Sequence, residues 1–152
     1  MIVYPKLPSG HVIFCDDIRH EVGGKVTFVG VYTGYMYVNG TLPVALPKLC
    51  FGIVYRQEVT AADPVTIKVF VPGYEEPVAE TRLDPEPQMN LPPEGEFIMH
   101  EARLFVEAAP VLIREEGRIM VRAYRGDDEI RLGVLTIQLA EATPEHATST
   151  EE

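Results

Sequence analysis

The chain has 152 residues, of which 13 are basic and 23 acidic, and its formal net charge is −10. An acidic chain without a basic run lacks the cations that displace counterions from phosphate, which argues against nucleic acid and anionic membranes as partners. Because 13 prolines and 12 glycines leave few uninterrupted stretches for helices, the composition favours short strands joined by turns.

The sequence carries no segment typical of export or of a membrane anchor. Residues 1–10 contain one Lys and two Pro, and they form neither the charged part nor the apolar part of a secretion signal. No apolar run approaches the roughly 20 residues needed to span a bilayer. We therefore expect a cytoplasmic protein, in which Cys15 and Cys50 are buried free thiols rather than a disulfide or a zinc site.

The first predicted strand runs from His11 to Arg19, where Val12, Phe14 and Ile18 fall on one face. Asp16 falls on the same face. Either a bulge turns its carboxylate outward, or the carboxylate points into the core and is hydrogen-bonded there.

Residues 25–38 predict one long strand or a bent pair of strands, because Val, Thr, Phe and Tyr dominate this stretch. Gly30 and Gly34 fall on one face, where the missing side chains permit a bend or the close approach of another backbone. Asn39-Gly40, which follows directly, is typical of a hairpin turn.

Alternating apolar residues predict strands at 49–56 and 65–71 and a weaker strand at 78–83. Residues 84–95 contain four prolines and predict an extended surface loop. The apolar residues of segment 97–109 fit either a helix or a strand, and we expect a strand. Its inward-facing residues would be Ile98, Ala102, Leu104 and Val106.

The end of the domain is predicted to be a hairpin. A strand that begins at Gly117 returns through the turn Gly126-Asp127-Asp128 into a final strand over 129–139. Because the apolar parity changes within that final strand, we expect a bulge at Gly133. Residues 140–152 are small, polar and acidic, which predicts a disordered tail after a domain of residues 1–139.

Several short strands separated by turns, without alternating helices, predict an all-β fold. We expect a single-domain antiparallel two-sheet sandwich of about eight strands, either Ig-like or C2-like. A closed barrel is the main alternative.

Residues suited to catalysis are sparse. Ser9 and Ser149 are the only serines, and neither lies within a predicted strand, so a serine nucleophile with an aligned base is not expected. A thiolate–imidazole pair of Cys15 with His20 or His100 is conceivable, although no spacing requires it. We therefore expect a protein that is not an enzyme and has no cofactor.

A cluster of carboxylates at the last hairpin offers the oxygen ligands that calcium prefers. Its residues are Asp127, Asp128 and Glu129. Asp is also a favoured turn residue because its side chain bonds to the nearby backbone. We expect the turn role rather than a calcium site.

Three tyrosines, Tyr32, Tyr35 and Tyr37, follow one another closely near the end of the long predicted strand. Tyrosine combines a large contact area with a hydroxyl group, and exposed tyrosines on a sheet are common at protein interfaces. The alternative role is packing across strands within the domain. Packing across strands is slightly favoured, and the three tyrosines are kept as interface candidates.

Two segments of the chain carry a family resemblance. Residues Phe14–Tyr32 read FCDDIRHEVGGKVTFVGVY, and residues Gly117–Leu139 read GRIMVRAYRGDDEIRLGVLTIQL. Together they resemble a bacterial family of uncharacterised β-sandwich proteins, in which a Cys-Asp pair, a Gly-Lys turn and a strand closing in Gly-Val-Tyr open the domain. The resemblance implies a sandwich and implies no activity.

Three positions of this opening are explained neither by turns nor by the core, namely Asp16, Asp17 and Arg19. We expect Asp16 or Asp17 to pair with Arg19, or with an Arg of a neighbouring strand, and so to set the register of the first hairpin. This would be a structural role.

The sequence thus favours a non-catalytic protein-interaction or assembly module that binds a protein partner or a second copy of itself. A calcium- or small-molecule-binding sandwich is the alternative. An enzyme using Cys15, His100 and an acid is a third and less favoured hypothesis.

Overall fold

A computed structural model describes residues 1, 3, 6–85 and 99–140 of the chain. Within these ranges the chain forms eleven strands and no helix, so the fold is all-β. The strands are β1 Ser9–His20, β2 Val26–Val31, β3 Tyr35–Val38, β4 Val44–Leu46, β5 Leu49–Glu58, β6 Val65–Phe70, β7 Ala79–Leu83, β8 Met99–Ala108, β9 Val111–Ile113, β10 Gly117–Arg125 and β11 Asp128–Leu139.

The strands form two main sheets and one small one. The four-stranded sheet has the order β2-β1-β5-β8 and is antiparallel throughout. The five-stranded sheet has the order β3-β11-β10-β6-β7, and only its β3–β11 pair is parallel. Strands β4 and β9 form a separate antiparallel pair. This architecture is consistent with a β-sandwich, with more strands than the predicted number of about eight.

One hydrophobic core is built from both main sheets. Strand β5 contributes Phe51, Ile53 and Tyr55, and β10 contributes Ile119 and Val121, each at every second position. Strand β6 buries its alternate valines and isoleucine in the same way. The period of two that predicted these strands is confirmed, because residues of one parity lie on one face of a strand.

The bulge predicted in the last strand is confirmed. Val121 lies opposite Gly133, but Arg122 lies opposite Arg131, so Leu132 is the extra residue. At this point β11 also approaches β1 closely, since a Cβ atom on Gly133 would lie 2.9 Å from the Cβ of Val12.

The predicted strand of residues 25–38 is a bent pair. Gly30 and Gly34 adopt φ angles of +67° and +109°, and between them the chain leaves β2 in one sheet and enters β3 in the other. The prediction of a hairpin at Asn39-Gly40 is wrong, because β3 pairs with β11 and the following β4 pairs with β9.

Segment 97–109 is a strand over its described part, β8, on which Ala102, Leu104 and Val106 share the half-buried inner parity. The fourth residue predicted inward, Ile98, lies outside the described residues, as do 86–95 of the predicted loop. The same holds for residues 141–152 of the predicted tail. No helix in the described ranges is long and apolar enough to cross a bilayer.

Candidate interaction surface

The outer face of the five-stranded sheet, formed by the side chains that alternate with its core residues, carries two of the predicted tyrosines. In β3, Met36 and Val38 point into the core, so the period of two turns Tyr35 and Tyr37 outward. Tyr35 is 50% exposed and Tyr37 is 65% exposed. Their rings stack with centroids 6.1 Å apart and an interplanar angle of 18°.

Tyr32 has a different role from the other two tyrosines. It packs against the core, its backbone N–H donates to Phe14 O at 2.8 Å, and its hydroxyl donates to a carboxylate oxygen of Asp16 at 2.9 Å. Burial, together with this bond to Asp16, raises the pKa of Tyr32 to about 12. The structure therefore splits the predicted cluster, and only Tyr35 and Tyr37 form an exposed pair.

Opposite the tyrosines on β11 lie Thr136 and Gln138, and an apolar row begins at the next outward position, Val134. Met120 on β10 lies opposite Val134 on β11 and opposite Phe70 on β6. Val134 is exposed, and the other two side chains are half-buried. This row continues the aromatic pair toward the middle of the sheet.

Beyond the apolar row lies a row of three cations, which we call the cationic row: Lys68, Arg122 and Arg131. Arg122 lies opposite Arg131 on β11 and opposite Lys68 on β6. Arg122 is the only buried charged residue of the described chain, and its Nε lies 3.2 Å from Glu129 Oε1. Sequence reasoning missed this row, since its members come from three strands and form no basic run.

The residues of the opening motif are arranged mainly around Asp17. Its Oδ1 accepts a hydrogen bond from Lys48 Nζ at 2.6 Å, and its Oδ2 lies 3.4 Å from Arg19 Nε. The bond to Lys48 is the main cause of the lowered pKa of Asp17. The predicted Asp17–Arg19 pair is present, but the shorter link runs to the turn before β5, which the sequence did not indicate.

Asp16 is exposed, but the pairing of β1 with β2 shows no register shift here, so the bulge offered as one alternative is absent. Its carboxylate is exposed and accepts from Tyr32, and Gly30 lies across from it. A Cβ atom on Gly30 would collide with the Asp16 carboxylate. The glycine therefore leaves space for the carboxylate beside β2.

The two cysteines lie opposite each other on β1 and β5, and both are free and buried, as predicted. Burial raises the pKa of both thiols, which disfavours the nucleophilic thiolate. Among the described residues no hydrogen bond joins either thiol to a histidine. The ring of His20 instead packs edge-on against Phe105 at 5.2 Å, and His100 lies opposite Gln57 on β5.

The carboxylates at the last hairpin form its turn. Gly126 has a φ of +56°, and Asp128 pairs with Arg125 across the two-residue turn that includes Asp127. Glu129 faces Arg122. In the part of the chain that the structure describes, no three His, Cys, Asp or Glu side chains are grouped so that they could hold a metal ion.

An open cleft of about 790 Å³ lies between residues 73–78 and 108–111, with Arg114 at its side. The guanidinium carbon of Arg114 lies 4.0 Å from the centroid of the Tyr74 ring, and its NH1 donates to Gly73 O at 3.1 Å. The Arg114 guanidinium is thus held by Tyr74 and Gly73, which also line the cleft.

Comparison of the sequence with models of known protein families and with curated proteins gives no match. The resemblance to the bacterial sandwich family therefore stays a prediction.

Proposed function

We propose that this chain is a non-catalytic protein-interaction or assembly module of the cytoplasm, which binds a protein partner or a second copy through the outer face of its five-stranded sheet. The single observation that carries the proposal is the stacked and exposed pair Tyr35–Tyr37. We further infer that the domain is a sandwich of the Ig-like or C2-like type, since two largely antiparallel sheets contribute to one core.

Both rings keep exposed apolar area that a partner could bury. A tyrosine side chain loses little rotamer entropy on binding and offers a large apolar area with a polar tip, so tyrosines are enriched among the residues that dominate binding energy. Met36 and Val38 anchor β3 in the core and hold both rings in place. A partner therefore meets a preorganised aromatic surface.

The same strand argues for binding through the face rather than through the edge. Strand β3 is at the edge of its sheet and has four residues. Short edge strands offer few free backbone groups and so discourage the addition of a partner strand. The outer face instead offers the exposed rings and, one outward position farther along β11, the apolar row Phe70, Met120 and Val134.

The proposal is tested by replacing both rings. The double variant Tyr35→Ser/Tyr37→Ser leaves the core untouched, and Val22→Ser is the control because Val22 is an even more exposed apolar residue in the β1–β2 turn. Sedimentation velocity measures self-association, and affinity capture from the native cells measures partner binding. We expect the tyrosine variant to lose the associated species and the control to keep it.

Two outcomes would contradict the proposal. The first is a wild-type chain that sediments as a strict monomer and captures no protein. The second is an associated species that both variants retain equally, which would place the interface elsewhere on the molecule.

The second candidate is a small-molecule- or calcium-binding sandwich. The open cleft beside Tyr74 and Arg114 favours the small-molecule form, because a cation stacked on an aromatic ring can recognise a planar or anionic group. For calcium we expect no heat in a calorimetric titration and no rise in melting temperature. A clear rise in melting temperature would support a calcium-binding sandwich.

A further inference from the structure

The cationic row is electrostatically unusual for this chain. Like charges placed directly opposite each other on neighbouring strands destabilise a sheet. Here Arg122 faces a cation on both sides, in a protein whose net charge is −10. Such an arrangement is unfavourable for the isolated domain, and a bound anion would relieve it.

The carboxylates near the row do not neutralise it. Glu129 lies 3.2 Å from Arg122, and Glu80 lies 3.8 Å from Lys68. Two carboxylates thus face three cations, which leaves the row with a net positive charge. Arg131 is exposed and makes no ion pair within 4 Å among the described residues. The row therefore has an accessible surplus of positive charge.

Arg122 adds a nearly buried positive charge to the electrostatic field of the row. It is 7% exposed, and its NH1 and NH2 groups meet only the Val121 carbonyl at 3.4 Å and the Met120 sulfur at 3.2 Å. A thioether is a weak acceptor. Since water screens a nearly buried charge poorly, the guanidinium acts on any anion held between Lys68 and Arg131.

The size of the row indicates which anion it fits. The three cations lie on adjacent strands, β6, β10 and β11, so the row spans about 10 Å. Alternate side chains of an extended segment lie about 7 Å apart, so the long side chains of Lys68 and Arg131 must each lean inward by about 1.5 Å to meet two carboxylates of such a segment. A long polyanion such as nucleic acid would instead meet the surrounding negative charge of the protein.

We propose that the cationic row docks an acidic polypeptide segment of the partner, with carboxylates seated at Lys68 and Arg131. This inference rests on the proposed function, and it assigns the chemistry of the partner that binds the same outer face. The tyrosine pair lies opposite Thr136 and Gln138 on β11, five and seven positions after Arg131. It would contact a neighbouring part of that partner.

The probe is a short fluorescent oligo-glutamate peptide, and its anisotropy is titrated with the full chain at low and high salt. The variant Lys68→Gln/Arg131→Gln removes both accessible charges. The control is Arg103→Gln, since Arg103 is 65% exposed on the outer face of the other sheet and pairs with Glu101. We expect peptide binding that weakens with salt, a loss of about tenfold in the double variant, and no change in the control.

Several outcomes would overturn the inference. These are an absence of peptide binding at low salt, equal loss in the row variant and the control, or tighter binding of a single-stranded oligonucleotide than of the peptide. Melting temperatures that are not lowered show that the fold of the variants is intact, and relief of the like-charge repulsion should raise the melting temperature of the row variant.

The failure of this inference can be told from failure of the proposed function. Suppose that Tyr35→Ser/Tyr37→Ser abolishes partner capture while Lys68→Gln/Arg131→Gln leaves it unchanged. The assignment of the cationic row as a docking site is then wrong, whereas the proposed interaction face is retained. If neither variant affects capture, the proposed function fails, even where the peptide binds.

Discussion

Replacing Gly52 by alanine would test how closely Phe28 packs on the outer face of the four-stranded sheet. Gly52 lies in the middle of β5, and the ring of Phe28 reaches it across β1 from β2. A Cβ atom on Gly52 would lie 2.6 Å from Phe28 Cε1 and 2.9 Å from Cζ, where ordinary contact begins at 3.4 Å. The ring would have to move by several tenths of an ångström, away from its place beside Phe105.

Two opposing effects set the magnitude. Overpacking costs about 1–3 kcal/mol, and because the Phe28 ring is half-buried and already packs beside Phe105, we take a cost of about 2 kcal/mol. Alanine in place of a strand glycine gains roughly 0.5–1 kcal/mol from the unfolded chain. We expect Gly52→Ala to lower the free energy of unfolding by about 1 kcal/mol in the wild-type background. In a Phe28→Ala background, only the gain of roughly 0.5 kcal/mol remains.

Equilibrium urea denaturation of the four proteins in this double-mutant cycle gives each free energy of unfolding, and an unchanged denaturant slope verifies that the states compared are the same. The sign of the alanine effect should reverse between the two backgrounds. Equal effects of Gly52→Ala in both backgrounds would refute the reasoning, because the cost would then not come from the contact with Phe28.

Three further predictions concern ionisable groups. Because the hydrogen bond from Arg125 lowers the pKa of Glu58 below its ordinary 4.5, the stability from this pair is present at neutral pH and lost as pH falls through the lowered pKa. Denaturation at several pH values should therefore show a shallower acid decline for Glu58→Gln, and an identical decline would contradict this. Since the pKa of Tyr32 is raised from 10.0 to about 12, stability should fall between these pH values, and Tyr32→Phe should fall less steeply. Both buried cysteines should resist thiol-specific labelling in the native protein and react on unfolding, whereas rapid native labelling would contradict their burial and raised pKa.

Local patterns predicted the strands well where one face of a strand is buried. The alternation in β6 reflects the period of two that a strand with one buried face must have. Strand β5 is buried on both faces over residues 49–55, and there only the residues of its core cluster follow that period. The bulge beside Gly133 was predictable for the same reason, because an extra residue shifts the apolar parity.

Long-range pairing could not be predicted from the same patterns. Asn39-Gly40 has the composition of a hairpin turn, but β3 lies parallel to β11, whose residues come about a hundred positions later. The β4–β9 pair was missed because strands of three residues are too short for periodicity to show. Tertiary packing decides both cases.

In the candidate site too, local patterns predict part of the arrangement and long-range pairing decides the rest. The alternation in β3 predicts that Tyr35 and Tyr37 share a face, but which face lies outside depends on how β3 joins the five-stranded sheet, whose outer face also exposes Val134. The position of Tyr32 depends on Asp16, which the chain brings near by pairing β1 with β2. Which tyrosine is free is therefore a property of the assembled sheet.

The overall negative charge and the cationic row act over different distances, and together they select for a particular kind of partner. Mobile ions screen the charge of −10 beyond about 8 Å at physiological ionic strength, so it matters little at a distance and opposes any polyanion near the surface. Within contact distance the poorly solvated Arg122 and its two neighbours dominate locally. A partner that presents a few carboxylates beside an apolar surface meets both the cationic row and the tyrosine pair, whereas a uniformly anionic partner gains from the row alone. An acidic protein can therefore have a basic binding site without binding anions in general.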